Sequence, residues 1–246
     1  MAKSIFLTGA SAGLGEGMAR GFAKRGYSLA LAARSRDKLE VLAEELRRSG
    51  AAKVVVYTLD VTDYDSVPRV MGEAAAELGG LDIVIANSGI ATATPAGRGS
   101  FEAARRVIDT NLLGAMATIE AAVELFRKQG HGHIVGISSV SGVRGLPTQS
   151  AYSASKSGVT RYLESVRADV FGTAIRVTDL APGFIDTAIN RNLPSRPFLV
   201  SAEKGTEIMI AMIEKQVGFR YVPVVPWTLV ALLLKILPTR LLAKAS

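Results

Sequence analysis

The stretch Thr8-Gly9-Ala10-Ser11-Ala12-Gly13-Leu14-Gly15 follows a short apolar run at residues 5–7 and precedes a helical pattern that reaches Lys24. Glycines between a strand and a helix let the backbone turn sharply and approach a pyrophosphate closely. The following helix directs free N–H groups and the positive end of its dipole at an anion. This stretch therefore predicts a dinucleotide-binding turn at the start of an α/β fold. A plain strand-to-helix turn without a ligand is the alternative.

Outward from this turn, apolar runs alternate with amphipathic stretches. The predicted strands are residues 4–7, 28–32, 53–58, 83–86, 133–137 and 174–179. The predicted helices are residues 36–49, 63–78 (capped by Thr62), 101–128, 150–171 and 202–217. Such alternation is typical of a doubly wound, Rossmann-type α/β fold, with a parallel sheet in a three-layer α/β/α arrangement. No Pro/Gly/Ser-rich linker divides the chain, so we predict a single domain over residues 1–246.

Composition excludes several classes of protein. The chain has 246 residues and a net charge of +7, which can attract phosphates, acidic substrates or an anionic membrane. It lacks cysteine, which excludes disulfides and thiolate chemistry, and it lacks the basic clusters that nucleic-acid binding needs. No window has the roughly 20 uninterrupted apolar residues of a spanning helix. We expect a cytoplasmic protein, with a membrane-peripheral one as the alternative. We predict no metal site, because His131 and His133 fit a polar strand entrance better.

Tyr152 and Lys156 lie four residues apart in a predicted helix and therefore share a face. An adjacent ammonium lowers the pKa of a phenol, so Tyr152 can act as a general acid and base. Alone, this pair is more typical of an exposed helical face. Ser139 follows a predicted strand end, where open α/β sheets bind ligands, with Ser138 and Ser141 as competing candidates.

These motifs, in this order, resemble the short-chain dehydrogenase/reductase family in its compact single-domain form, over the chain to about Pro223. The resemblance implies an oxidoreductase that interconverts a carbonyl and an alcohol, with Tyr152 as proton donor. It also implies that Lys156 binds the nicotinamide ribose and that Ser139 holds the substrate oxygen. Asn111 matches a fourth catalytic position, which interrupts a helix and holds a water beside the lysine.

The choice of cofactor depends on Arg34, which stands where NAD-preferring folds carry an acid. A guanidinium there can pair with the 2′-phosphate, so we predict NADP(H); a solvent-facing or helix-capping Arg34 is the alternative. Ala12 stands where some NADPH-preferring members have a second basic residue. Asp60 fits either an adenine contact or a helix start, and Asn87 is as much structural as functional. The predicted cofactor-binding residues are Gly9, Ser11, Gly13, Leu14, Gly15, Arg34, Ser35, Asp60, Val61, Asn87, Gly89, Tyr152, Lys156, Pro182, Gly183, Ile185 and Thr187.

Residues 183–217 fall where the family keeps its substrate lid, with a loop-like part at 183–200 that contains Pro194 and Pro197. Five apolar side chains in it predict a pocket for an apolar or lipid-like ketone or aldehyde. They are Phe184, Ile189, Leu193, Phe198 and Leu199.

The apolar tail, residues 223–246, has three interpretations. It lies in a membrane interface with Trp227 as anchor and Lys235, Arg240 and Lys244 near anionic head groups, it packs on a second subunit, or it closes the pocket. The dimers and tetramers common in the family favour the last two, and a homodimer or homotetramer. Two rival functions are a dinucleotide-sensing protein without turnover and a membrane-surface scaffold.

Overall fold

The computed structural model describes residues 2–193 and 195–244, with the backbone alone at Lys244. Parts of two sequence predictions therefore lie outside the described residues. They are Pro194 in the predicted lid loop, and the side chain of Lys244 and the last two residues in the predicted tail. Within the described part, seven parallel strands form one sheet in the order β3-β2-β1-β4-β5-β6-β7. The strands are β1 Ser4–Thr8, β2 Ser28–Ala33, β3 Lys53–Thr58, β4 Ile83–Ala86, β5 Gly132–Ile137, β6 Ile175–Pro182 and β7 Phe219–Val222.

Helices cover both faces of the sheet. They are α1 Gly13–Ala23, α2 Arg36–Arg48, α3 Ser66–Leu78, α4 Phe101–Ile108, α5 Gly114–Gln129, α6 Ser150–Asp169, α7 Ala202–Glu214, α8 Val224–Ile236 and α9 Thr239–Lys244. One buried cluster joins the sheet to α3, α5 and α6, and a second joins it to α1, α2 and α7. The predicted three-layer, doubly wound fold is thereby confirmed. No described helix is long and apolar enough to cross a bilayer.

The strand order reverses between β1 and β4, and this reversal opens a crevice at the carboxyl end of the sheet. The turn after β1 and the segment after β4 meet there. Helix α6 comes close to the sheet because β5 carries Gly136 beneath Leu163. A Cβ at residue 136 would lie 2.4 Å from Leu163 Cδ1. This close approach seats the C-terminal half of α6 on the sheet, and Lys156 in its N-terminal half bonds to Ile137 at the end of β5.

The start of α3 and strand β7 differ from the prediction. Helix α3 begins at Ser66 rather than residue 63, because Asp60 accepts hydrogen bonds from the backbone N–H and hydroxyl of Thr62, at 3.0 and 2.8 Å. Thr62 is thereby held in a turn instead of capping a helix. Strand β7 was missed because it is a four-residue edge strand with only Val222 fully buried.

The predicted helix over residues 101–128 is two helices, α4 and α5, joined by a π-helical turn at Asp109–Leu113. A π-helical turn inserts an extra residue into the helical ladder and changes the direction of its side chains. Asn111, the residue expected to interrupt a helix, lies in the middle of this turn.

Candidate active site

The glycine turn after β1 is closed by contacts that only glycine permits. Gly9 and Gly13 have positive φ values of 66° and 59°. A Cβ at Gly15 would lie 2.2 Å from the Gly9 carbonyl oxygen, so Gly15 packs behind the turn. Helix α1 begins after Ala12, whose side chain has no oxygen to cap it. The first N–H groups of α1 therefore remain available to an anion.

Asn87 ties the ends of β1 and β4 together beside this turn. Its amide Nδ2 donates to the carbonyl oxygens of Thr8 and Gly9 at 2.9 and 3.3 Å, and its backbone N–H donates to Thr8 Oγ1 at 3.0 Å. These hydrogen bonds show the structural role that the sequence predicted for Asn87. The residue also lines the cavity described below.

Arg34 and Asp60 mark the outer end of the crevice. Arg34 follows β2 and is largely exposed, and its Nη1 lies 3.9 Å from Asp60 Oδ2. Such an exposed pair contributes little to stability and leaves the guanidinium free to bind an anion. The other carboxylate oxygen of Asp60 accepts the hydrogen bonds that form the Thr62 turn. Asp60 therefore stabilises this turn and also lines the cavity.

The inner end holds the predicted proton-transfer group. Lys156 on α6 is only 5% exposed, its Nζ donates to the carbonyl oxygen of Ile137 at 2.8 Å, and Nζ lies 5.9 Å from the centre of the Tyr152 ring. The Ser139 hydroxyl, after β5, lies where it interacts with the Tyr152 phenol. Ser138 instead donates to the buried carboxylate of Asp179 at 2.5 Å. Of these two serines, Ser139 is therefore the one turned to the tyrosine, and the third candidate, Ser141, donates its backbone N–H to Ser139 Oγ at 3.1 Å.

Burial controls the charges of this group. It lowers the pKa of Lys156 to about 8, although the carboxylate of Asp179 opposes the shift. It raises the pKa of Tyr152, although the hydrogen bond with Ser139 opposes that shift. The lowered pKa predicted for Tyr152 is therefore wrong for the protein chain alone, because loss of water around the phenolate outweighs its neighbours.

The Asn111 side chain is hydrogen-bonded to the backbone of the segment that follows β4. Its Oδ1 accepts from the Ile90 N–H at 2.8 Å and its Nδ2 donates to the Ile90 carbonyl at 2.9 Å. These bonds fix the segment after β4 against the π-helical turn. Gly89, in the same segment, lies beside both side chains: a Cβ there would make ordinary contacts with Asn111 Oδ1 at 3.4 Å and Lys156 Nζ at 3.6 Å.

One cavity of about 940 Å³ runs from the glycine turn to the tyrosine. All the predicted cofactor and catalytic residues line it except Gly15 and Asn111, which lie behind its wall. For a dinucleotide, this cavity offers a glycine cradle, uncapped helix N–H groups and a guanidinium at one end, and hydroxyl and ammonium groups at the other. The chemistry of these groups fits a nicotinamide dinucleotide laid along the strand ends.

The far wall of the cavity comes from the lid and the tail. Trp227 at the start of α8 is 4% exposed and lies on Gly183, where a Cβ would be 1.9 Å from indole Cε2. Its ring makes edge-on contacts with Phe184 and Phe198, with centroids 5.7 and 5.9 Å apart. The interpretation of Trp227 as a membrane anchor is therefore wrong, since the indole closes the pocket.

Two tail residues that line the cavity, Trp227 and Leu234, were not predicted as site residues. No local signal marks them, because their role depends on contact with a distant loop. Of the predicted pocket residues, Phe184, Ile189 and Leu193 line the cavity. Phe198 and Leu199 are exposed at its outer edge instead.

The two histidines are separate from this site. His133 is buried with Nε2 at 2.8 Å from Thr178 Oγ1, and burial lowers its pKa to about 4. His131 is exposed beside Gln129. In the described part of the chain, no three His, Asp or Glu side chains group as metal ligands.

Comparison with known proteins gives consistent matches. The family model described as short chain dehydrogenase matches residues 3–197. An uncharacterized oxidoreductase of Mycobacterium tuberculosis is 43% identical over 241 residues, which cover 97% of this chain and 95% of that protein. A cis-4-hydroxycyclohexanecarboxylate dehydrogenase of Sinomonas cyclohexanicum is 38% identical over 190 residues, 77% of this chain and 76% of that protein.

Among solved structures, an alcohol dehydrogenase from the archaeon Thermococcus sibiricus, complexed with 5-hydroxy-NADP, superposes with a TM-score of 0.81. It is 28% identical, and the match covers 90% of this chain and 95% of that one. The superposition therefore extends over nearly the whole sheet and its helices.

Proposed function

The chain belongs to the short-chain dehydrogenase/reductase family, and from this premise we propose that it is an NADPH-dependent carbonyl reductase. The family assignment makes it an oxidoreductase acting on CH–OH groups and their carbonyl counterparts. The proposal adds the cofactor, the direction and the class of substrate: it reduces an apolar or lipid-like ketone or aldehyde.

A single observation carries this proposal. Tyr152, Lys156 and Ser139 lie at one end of a cavity whose other end is the glycine turn and Arg34. A protein that only senses a dinucleotide has no need for a buried ammonium beside a phenol at the nicotinamide end. The arrangement therefore favours turnover over sensing alone.

In the proposed mechanism, the glycine turn, Arg34 and Lys156 would hold a nicotinamide dinucleotide, which would supply the hydride for the substrate carbonyl carbon. Ser139 holds the carbonyl oxygen by a hydrogen bond, and Tyr152 gives that oxygen its phenolic proton. The raised pKa of Tyr152 keeps the phenol protonated until it is needed. The Lys156 ammonium then stabilises the phenolate that remains.

Lys156 has a second proposed task, to bind the ribose hydroxyls beside the nicotinamide. Its pKa of about 8 keeps most of it charged near neutrality and allows it to exchange protons. Asn111 supports the relay from behind the wall, with its backbone carbonyl holding a water beside Lys156. Protons would thus reach Tyr152 from solvent along a short polar path.

The preference for NADPH rests on Arg34. It stands at the end of β2, exposed toward the cavity with Ser35 beside it. A guanidinium paired with the 2′-phosphate gives a charge-assisted, bidentate contact that a hydroxyl cannot replace. The exposed pair with Asp60, at 3.9 Å, is weak and would yield to a phosphate.

The far wall of the cavity supports the proposed substrate class. The wall has an apolar lining of five side chains: Phe184, Ile189, Leu193, Trp227 and Leu234.

Proteins of this family act on small molecules and commonly form oligomers. We therefore propose a homodimer or homotetramer, located in the cytoplasm, in which each chain is one functional domain. Nucleic acid is not a proposed partner. Sedimentation equilibrium would give the subunit number.

The test is a panel of carbonyls and alcohols assayed with NADPH and with NADH, following the absorbance of the reduced nicotinamide. We expect turnover of apolar ketones or aldehydes, faster with NADPH. Consumption confined to small, highly charged carbonyls would contradict the substrate class. Faster turnover with NADH would contradict the cofactor choice, and no turnover with any compound would favour the sensing protein.

A further inference from the structure

Helix α8 has an apolar face that nothing in the described protein covers. Its inner face, with Trp227 and Ala231, is buried, as a packed helix requires. Its outer face, which we define as Leu229, Leu232, Leu233 and Ile236, is 54–79% exposed. These residues recur at the i, i+3, i+4, i+7 spacing of one helical face. A helix that is apolar all round is normally buried on all sides, so this face requires a partner.

The charge around the outer face points to an anionic partner. The sequence from Lys215 to Ser246 contains no Asp or Glu, whereas Lys235 and Arg240 are both exposed there. Arg144 donates to the carbonyl oxygen of Leu234 at 3.0 Å and to Thr239 Oγ1 at 3.1 Å, which adds another cation at the end of α8. Two copies that met through this surface would bring like charges together.

The outer face continues into the lid. Phe198 and Leu199 are exposed, and Phe198 packs edge-on against Trp227, which joins the lid to α8. Ile189 and Leu193 are also exposed, yet they line the cavity. The mouth of the cavity therefore opens beside the apolar surface rather than at a separate place on the molecule.

We propose that the outer face of α8 and the exposed edge of the lid rest on the surface of a bilayer that contains anionic lipid. The four aliphatic side chains of α8 enter the boundary between head groups and acyl chains, and Lys235 and Arg240 contact the head groups. Trp227 has no part in this anchoring, because it is buried against Gly183. The helix lies in the plane of the interface and does not cross the membrane.

If the protein is the proposed reductase, binding to a bilayer also affects how its substrate reaches the cavity. With the lid edge on the lipid surface, an apolar carbonyl can pass from the bilayer into the cavity without crossing water. The substrates best suited to this surface are long-chain or otherwise lipid-soluble ketones and aldehydes.

The experiment is flotation of the full chain with vesicles of phosphatidylcholine mixed with phosphatidylglycerol, and with phosphatidylcholine alone. We expect the wild type to float with the anionic vesicles and much less with the neutral ones. The variant L229Q/I236Q should lose at least about tenfold in apparent association, since two interfacial aliphatic groups are removed. The variant K235E/R240E should lose about as much on anionic vesicles only.

The matched control is V41Q/F171Q, which replaces two residues of comparable exposure, 62% and 89%, away from the tail. It should float like the wild type. The proposal of a membrane-binding surface would be overturned if the wild type failed to float. It would also be overturned if L229Q/I236Q floated as well as the wild type. A dimer in lipid-free buffer that L229Q/I236Q dissociates would overturn it too, because the partner would then be a second copy.

A water-soluble carbonyl assayed without vesicles separates this inference from the proposed function. All three variants should turn it over at the wild-type rate, since none of the changed residues lines the cavity. Normal turnover without flotation would overturn only the proposal that this surface binds membranes. Flotation without any turnover would overturn the reductase and leave the membrane surface intact.

Discussion

The two walls of the cavity are built on different physical principles. The sheet-side wall is polar and fixed: Lys156 is hydrogen-bonded to Ile137, and Ser139 lies against Tyr152. The wall from the lid and tail is apolar, and aromatic rings of the lid pack around Trp227 in it. Its outer residues, such as Ile189, are partly exposed.

This difference separates two tasks within one site. Proton transfer needs groups held within hydrogen-bond distance, which buried backbone partners provide. Admission of varied apolar molecules needs contact area without fixed hydrogen bonds, which aromatic and aliphatic side chains provide. Changes in the first wall should therefore affect the chemical step, and changes in the second should affect substrate binding.

The largest expected effect comes from Tyr152→Phe, which removes only the phenolic oxygen of the polar wall. We expect kcat to fall by at least about 100-fold, since general acid catalysis contributes that much or more. Steady-state kinetics and a titration of cofactor fluorescence would measure turnover and NADPH binding, and binding should stay near normal. Tyr162→Phe on the same helix is the control, because its hydroxyl contacts Glu120 away from the cavity. Equal turnover by Tyr152→Phe would remove the proposed role.

A pH effect on stability should arise from Lys156. Its folded pKa is lowered from 10.5 to about 8, so between these values the unfolded chain binds a proton that the folded chain does not. The contribution of Lys156 to the free energy of unfolding should therefore rise as the pH increases from about 8 to 10.5. By linkage this amounts to roughly 3 kcal/mol.

Urea denaturation of the wild type and of Lys156→Met across this pH range would measure that difference. Subtracting the variant removes the contributions of other titrating groups. A difference that does not change with pH would show that Lys156 keeps an ordinary pKa. The ammonium in the polar wall would then be more accessible to water than the structure indicates.

Arg34→Ala should change the choice of cofactor at the outer end of the polar wall. Loss of a charge-assisted contact with the 2′-phosphate is expected to raise KM for NADPH by about 10- to 100-fold. KM for NADH should change little, because that cofactor has no phosphate to lose. Arg36→Ala provides the control, since Arg36 pairs with Glu40 on α2 and does not line the cavity. Parallel loss with both cofactors would contradict the proposed NADPH preference.

The smallest expected effect comes from Trp227→Ala in the apolar wall. Loss of two aromatic contacts, each worth about 0.5–1.5 kcal/mol, should loosen the lid and raise KM for an apolar substrate about tenfold. We expect kcat to change much less, because the polar wall is untouched. Trp227→Phe should recover part of the loss. A fall in kcat at constant KM would contradict the division between the two walls.

The polar wall could be predicted from the sequence because its signals are local. Tyr152 and Lys156 are one helical turn apart, and the glycine turn is contiguous, so spacing alone places these groups on one face or in one loop. The raised pKa of Tyr152 could not be predicted in this way, because burial depends on the packing of α6 against the sheet.

The apolar wall could not be predicted to the same extent. The contact between Trp227 and Gly183 joins distant parts of the chain. An apolar tail has the same composition whether it faces a cavity, a second subunit or lipid, so the sequence left all three open. Strand β7 was missed for a related reason, since a short edge strand buries too few residues to produce a clear pattern.

The most direct test of the central claim uses NADPH carrying deuterium at the transferable position of nicotinamide C4 and an apolar ketone from the panel. If the two walls deliver hydride and proton as proposed, mass spectrometry of the alcohol will find one deuterium on the former carbonyl carbon. The hydroxyl hydrogen will come from solvent by way of Tyr152. An alcohol without deuterium on that carbon, formed at the wild-type rate, would contradict direct hydride transfer at this site.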